Sequence, residues 1–194
     1  MSTGIVFSLL LLASTALAAE PLRTVHDASR NRTWLLQPDG VYLNGKRFEL
    51  PGWIHAGEPY ACGPALAVDA QGAAVVSSDV VPVLWRIDPL KSQVTTHPLV
   101  LDADADKDVG FSSLTYAPDQ GVFFAVSSVY GSLWRIDPLL RRAQKIPLSA
   151  PVAKACELAV ERTKTRRTPV LVMCPARTAE NGCAGETTLQ SKLP

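Results

Sequence analysis

The sequence predicts an all-β chain assembled from about four repeats of a four-stranded antiparallel unit. Three observations predict it. The heptapeptide Leu-Trp-Arg-Ile-Asp-Pro-Leu occurs twice, at residues 84–90 and 133–139, with a period of 49 residues. The flanks agree as well: Gly72 and Gly121 each precede it by 12 positions, and Ser77-Ser78 answers Ser127-Ser128. Beyond the first twenty residues, short apolar runs separated by glycine- and proline-containing turns dominate, and these are strand signals.

The first segment stands outside the fold. Residues 5–13 are almost unbroken apolar sequence, followed by Ser14, Thr15 and the small-residue series Ala16-Leu17-Ala18-Ala19. That is the apolar core and Ala-x-Ala exit of a secretory signal peptide, although residues 1–4 carry no Lys or Arg. The run is too short to span a bilayer. Residues 1–19 are therefore expected to be removed, leaving a repeat domain over residues 20–194 in a secreted or periplasmic protein with no membrane anchor.

Each strand in the two strong repeats has a local reason. Residues 66–69 lead through Ala70-Gln71-Gly72 into residues 73–77, and residues 114–117 lead through Pro118-Asp119-Gln120-Gly121 into residues 122–126. Two apolar runs joined by a glycine turn make a hairpin. A third strand follows at residues 83–87 and 133–136. Asp88-Pro89 and Asp137-Pro138 end it, because proline cannot continue an interior strand. A fourth is expected at residues 93–100 and 143–148. Alternation puts Trp85 and Ile87 on one face and Arg86 and Asp88 on the other, so the tryptophans should pack between sheets.

Two weaker copies flank this pair. The first runs through residues 22–26, 33–37, the turn Pro38-Asp39-Gly40, residues 41–43, the turn Asn44-Gly45, and residues 48–50. The last has residues 156–161 and 169–174, then a polar tail without a Trp-Arg-Ile-Asp-Pro equivalent, so its unit is expected to be incomplete. Repeats accordingly start near Leu22, Leu66, Leu114 and Leu158. Four short antiparallel strands per period describe one blade of a β-propeller.

Leu-Trp-Arg-Ile-Asp-Pro followed by a polar turn and a further strand resembles the blades of the YVTN, NHL and gluconolactonase-like β-propellers. The resemblance covers residues 61–150 well and the remainder weakly. It implies a propeller lineage whose members include lactonases, lyases and exported binding or scaffold proteins. Usual members have about six or seven blades. A chain with four leaves three arrangements open: a small closed ring, an open arc, or a ring completed by a second chain. A gluconolactonase-like activity would imply a divalent metal at the propeller axis, held by Glu, Asn and Asp on inner strands. Glu157 stands at such a position, but the other repeats place Gly63 and Ser112 or Ser113 there, and Asn31, Asn44 and Asn181 read as turn or loop residues.

The remaining chemistry is sparse. Net charge is +1, which gives no global case for nucleic acid or membrane partners. The run Asp102, Asp104, Asp106 and Asp108 is the one calcium candidate. It departs from the EF-hand pattern at Lys107 and Ser113, which leaves a solvated acidic loop as the simpler reading. His26, His55 and His97 fall in three different repeats with no ligand spacing, and no serine-nucleophile or phosphate-loop motif is present. The basic stretch at residues 162–167 has no interleaved aromatic, so base stacking is unsupported.

The four cysteines, Cys62, Cys156, Cys174 and Cys183, match no zinc or haem spacing and suit two disulfides. Hairpin register pairs Cys156 with Cys174 and leaves Cys62 for Cys183, with Cys174–Cys183 the competing bridge. The expected function is an exported, non-enzymatic binding or scaffold protein that meets a protein or small-molecule ligand through its loop faces, without catalytic residues or cofactor. The alternatives are a metal-dependent hydrolase or lactonase, and a partial propeller completed by another copy or chain.

Overall fold

The computed structural model describes residues 20–56, 62–102, 110–127, 129–148, 155–161, 170–175 and 187–189. Among them there is no helix. The chain forms four sheets in sequence order. The first holds β1 (Arg23–Asp27), β2 (Arg32–Gln37), β3 (Gly40–Leu43) and β4 (Lys46–Phe48). The second holds β5 (Leu66–Val68), β6 (Ala74–Ser77), β7 (Val83–Asp88) and β8 (Gln93–Pro98). After β9 (Val100–Leu101) comes the third, with β10 (Ser113–Ala117), β11 (Val122–Ser127), β12 (Ser132–Ile136) and β13 (Arg142–Ile146). The fourth has, among the described residues, three strands, β14 (Ala155–Glu161), β15 (Val170–Pro175) and β16 (Thr187–Leu189).

Consecutive strands within each sheet pair antiparallel, as short turns require. The Asn44-Gly45 turn has positive φ at both residues, 50° and 79°, the geometry of a two-residue hairpin whose twist matches its strands. One expectation is corrected. The predicted strand at residues 93–100 stops at Pro98, and Val100–Leu101 instead pairs in parallel with β13 of the following sheet. Pro98 has no N–H to extend the ladder, so the chain leaves one sheet there and is picked up by the next.

The sheets stack face to face, and three apolar cores lie between them. Trp34, Leu36 and Val41 of the first sheet meet Leu66, Val76, Trp85 and Ile87 of the second. Ala67, Val75 and Leu84, from the other face of the second sheet, meet Leu114, Ala125, Trp134 and Ile136 of the third. Val122, Phe124 and Leu133 meet Leu158 of the fourth. The alternation in Leu-Trp-Arg-Ile therefore addresses two neighbours at once: Trp85 and Ile87 face the preceding sheet, while Leu84 faces the following one. Trp85, Trp134 and Trp34 are all buried, and the Trp85 indole N–H donates to the Pro51 carbonyl.

The first sheet differs on its far side. Register places Thr24, Leu35, Tyr42 and Arg47 there, beside the pair His26 and Thr33. This face is mostly polar and satisfies itself: the Tyr42 hydroxyl and the Arg47 guanidinium both donate to Asp39. A polar outer face is what a terminal repeat needs in water.

The cysteine pairing expected from register is corrected. Cys62, just ahead of β5, is bridged to Cys156 on β14. A shift in the β14–β15 ladder between Ala155 and Glu157 sets Glu157, not Cys156, opposite Cys174. Cys156 is therefore displaced from its expected hairpin partner and meets the segment that leads into the second sheet. The expected Cys156–Cys174 and Cys62–Cys183 bridges are thereby ruled out, and Cys183 lies outside the described residues.

The bridge ties the second sheet to the fourth across 94 residues of chain, a loop long enough for cross-linking to contribute about 4–5 kcal/mol through the unfolded state. Replacing Cys62 with Ser, or reducing the native protein, is expected to lower the denaturant midpoint by a corresponding amount. A midpoint unchanged by reduction would show that the fourth sheet is held without the bridge.

Candidate functional site

The inner strands β1, β5, β10 and β14 lie side by side in chain order, β1 against β5, β5 against β10, and β10 against β14. Near their starts, these strands bring together Arg23, Ala65, Ser113 and Glu157, which line a common cavity of about 170 Å³ beside the Cys156 end of the disulfide. Farther along, Leu66, Leu114 and Leu158 border both this mouth and a larger open cavity of about 720 Å³. Three leucines from three repeats thus separate a charged mouth from a wider vestibule.

The charge at the mouth is a guanidinium. Arg23 donates to its neighbour's carbonyl at Leu22 and to the Gly63 carbonyl at 3.3 and 3.4 Å. Burial pushes its pKa down from the ordinary value, while Glu157 and Asp79 push it back up. Sequence reading placed Glu157, Gly63 and Ser112 or Ser113 at this end, and the structure does gather Glu157, Ser113 and the Gly63 carbonyl there. It missed Arg23. The first repeat was anchored on Leu22, whereas the turn aspartates Asp27 and Asp69, whose carbonyls accept from Arg30 and Gly72, align Thr24 with Leu66. That alignment was available in the sequence and puts Arg23 in the ring.

Beside the mouth, the β6–β7 loop is held by side chains of the repeated Ser77-Ser78 pair. Ser77 Oγ accepts from the Ala65 N–H at 2.9 Å and donates to the Phe111 carbonyl at 2.6 Å, linking the second and third sheets. Ser78 Oγ donates to the Ile54 carbonyl, and the Trp53 indole donates to the Ser77 carbonyl. The segment carrying Trp53 and His55, whose rings lie 4.5 Å apart, is thereby fixed against this loop. Gly110 packs directly on the Asp79 and Val80 backbone, where no Cβ would fit.

Asp79 is the unusual group. It is 4% exposed; Oδ1 accepts from the Ala56 N–H at 3.0 Å, and Oδ2 is buried without a hydrogen-bond partner. Burial raises its pKa, against the opposing pull of the Ala56 N–H, His55 and Arg23. An orphaned carboxylate oxygen is costly, and such groups concentrate at functional sites.

The other sequence candidates do not converge. Asp102 Oδ1 accepts from the Lys145 N–H at 2.8 Å, whereas Asp104, Asp106 and Asp108 lie outside the described residues, as do residues 162–167. Among the described residues, no cluster of three His, Cys, Asp or Glu could hold a metal. His26 bonds Thr33 on the far side of the first sheet, and His97 bonds Thr95 on the outer strand β8. Only His55 stands near the mouth, within the field of Asp79.

No family model and no curated protein sequence matches the chain. Solved structures do. A catalytically inactive virginiamycin B lyase from Staphylococcus aureus, crystallised with quinupristin, superposes with a TM-score of 0.57 at 14% identity, over 80% of this chain and 48% of that one. Hydrazine synthase of Kuenenia stuttgartiensis superposes with a TM-score of 0.51 at 12% identity, over 84% of this chain and 49% of that one. The stacked four-stranded sheets and these likenesses agree. The fold is propeller-like. The chain spans about half the length of the propeller-like structures it matches, and identities this low speak for the fold alone.

A buried acid with a raised pKa gives a definite pH signature. Its folded-state pKa lies above its unfolded value, so its stabilising effect is greatest below the unfolded carboxyl range and declines as pH rises toward the folded pKa. Asp79→Asn is expected to hold or increase stability at neutral pH and to flatten that decline, read as Tm against pH. A variant that loses stability equally at every pH would show that Asp79 is a structural hydrogen-bond acceptor only.

Proposed function

We propose that the chain is an exported, non-enzymatic propeller protein that binds its ligand through the loop face carrying the mouth, with kinship to the YVTN, NHL and gluconolactonase-like groups. One observation carries this reading. At the ring of equivalent positions where a metal-dependent hydrolase of that kind would need oxygen donors, this chain has a guanidinium, a methyl, a hydroxyl and a single carboxylate, from Arg23, Ala65, Ser113 and Glu157. A fixed cation at that place competes with a divalent metal and leaves too few hard ligands to hold one. The same groups suit recognition, since small-molecule sites are concave with a few precisely placed polar groups. Export is supported by the Cys62–Cys156 bridge, which suits an oxidising compartment.

Metal analysis of the mature protein tests the reading. No stoichiometric calcium or zinc is expected, and neither ion should move Tm. A bound equivalent of either, with a Tm shift that Glu157→Gln abolishes, would establish the hydrolase reading instead.

Completion by a second copy or another chain is the second reading, favoured by the chain's match to about half of its structural neighbours. The polar far side of the first sheet counts against addition there, because Tyr42, Arg47 and Asp39 already satisfy one another. Sedimentation of the mature protein is expected to give a monomer that unfolds in one cooperative step; an obligate dimer would favour completion.

A further inference from the structure

The heptapeptide holds one residue that the fold does not use. Leu84, Trp85 and Ile87, like Leu133, Trp134 and Ile136, are buried in the inter-sheet cores. Asp88 and Asp137 accept turn N–H groups from Leu90 and Lys91, and from Leu139, Arg141 and Arg142. The closing leucines point elsewhere: Leu90 is 82% and Leu139 63% exposed. Both occupy the same turn, between third and fourth strands, in adjacent sheets, so they stand along one edge of the molecule. A single exposed leucine needs no explanation, but the same one repeated beside the same kind of charge does.

Beside Leu90 lies a groove of about 290 Å³ between the first and second sheets, with Leu43 and Phe48 on its walls and Arg32 and Lys46 among its lining residues. Among the described residues, none that lines it is acidic. Lys46 Nζ donates to Ser92 Oγ at 2.6 Å and lies 5.1 Å above the Phe48 ring, so the ammonium is held at the groove. Asp27, opposite Arg32 in register, is taken by Ser29 and Arg30, which leaves the Arg32 guanidinium without an ion pair among the described residues. Arg141 and Arg142 extend the positive charge along the edge, whereas Lys91 is ion-paired to Asp88 at 3.6 Å, and the Asp88 and Asp137 carboxylates accept turn N–H groups.

We propose that this edge is a docking surface for an anionic lipid bilayer. Leu90 and Leu139 enter the acyl boundary, and the Arg32–Lys46 groove seats a phosphate headgroup. Paired apolar tips with adjacent cations are the combination that peripheral attachment requires, since neither a single apolar insertion nor charge alone holds a protein at a membrane. The surface lies at the end of the strands opposite the mouth, because turns between third and fourth strands fall at the other end from the connections that begin each inner strand. A protein attached in this way presents its mouth away from the lipid.

Flotation of the mature protein with phosphatidylcholine vesicles, with and without phosphatidylglycerol, tests the proposal. Binding is expected only with phosphatidylglycerol and should weaken as salt rises. Leu90→Ser with Leu139→Ser, at exposed turn positions, should reduce partitioning by about tenfold or more. Arg32→Gln with Lys46→Gln should weaken binding to phosphatidylglycerol vesicles and lessen its salt dependence. Absence of binding to phosphatidylglycerol vesicles would overturn the proposal, as would equal binding to both vesicle types or by the leucine variants. So would displacement by millimolar inorganic phosphate at constant ionic strength, which would mark a soluble-anion site.

Discussion

Two-sided burial governs this molecule. A sheet with one wet face can afford strict alternation of apolar and polar residues, but here the second and third sheets are covered on both faces. All four residues of β6 and all six of β11 are buried. Each sheet is therefore stable only while both neighbours stay in place, and every inter-sheet core depends on a tryptophan or phenylalanine to fill the gap. Truncating such a side chain removes cover from two sheets, which explains why Trp85 and Trp134 occupy equivalent places.

The same constraint decides where polar chemistry can live. With the faces of the inner strands committed to packing, the buried ionisable groups Asp69 and Asp79 sit in turns and connections. Asp69 shows the structural use: it caps its own turn through the Gln71 and Ala73 N–H groups and pairs with Arg86 at 2.8 Å. Asp79 shows the other use, a buried carboxylate with one oxygen left over. Arg23 and Glu157 meet at the mouth because equivalent positions of successive repeats converge on one line, although 134 positions separate them in the chain.

The ends of the stack solve the exposure problem differently. The first sheet turns a polar, internally bonded face outward, as Tyr42, Asp39 and Arg47 show. The fourth is tied back to the second by Cys62–Cys156, passing over the third. The covalent tie adds to the packing of Leu158 against Val122, Phe124 and Leu133 of the third sheet. The parallel pairing of β9 with β13 stitches the second sheet to the third in the same spirit, by backbone hydrogen bonds.

Local chemistry made most of the strands legible. Glycine turns, Asp-Pro stops and the Asn44-Gly45 hairpin act within a few residues, so their consequences can be read along the chain, and the packing role of the tryptophans followed from alternation. Two of the three misses are non-local, and the third, Arg23, was an alignment that the sequence itself offered. A shift of ladder register in β14 redirected Cys156, a proline handed Val100 to another sheet, and an anchor on Leu22 hid Arg23. By itself the sequence determined the repeat, its strand order and its buried aromatic positions, because these depend on neighbours in the chain. Only the tertiary structure decided which cysteines meet, which strand ends share the mouth, and that Leu90 and Leu139 remain uncovered, because those depend on how successive sheets rotate against one another.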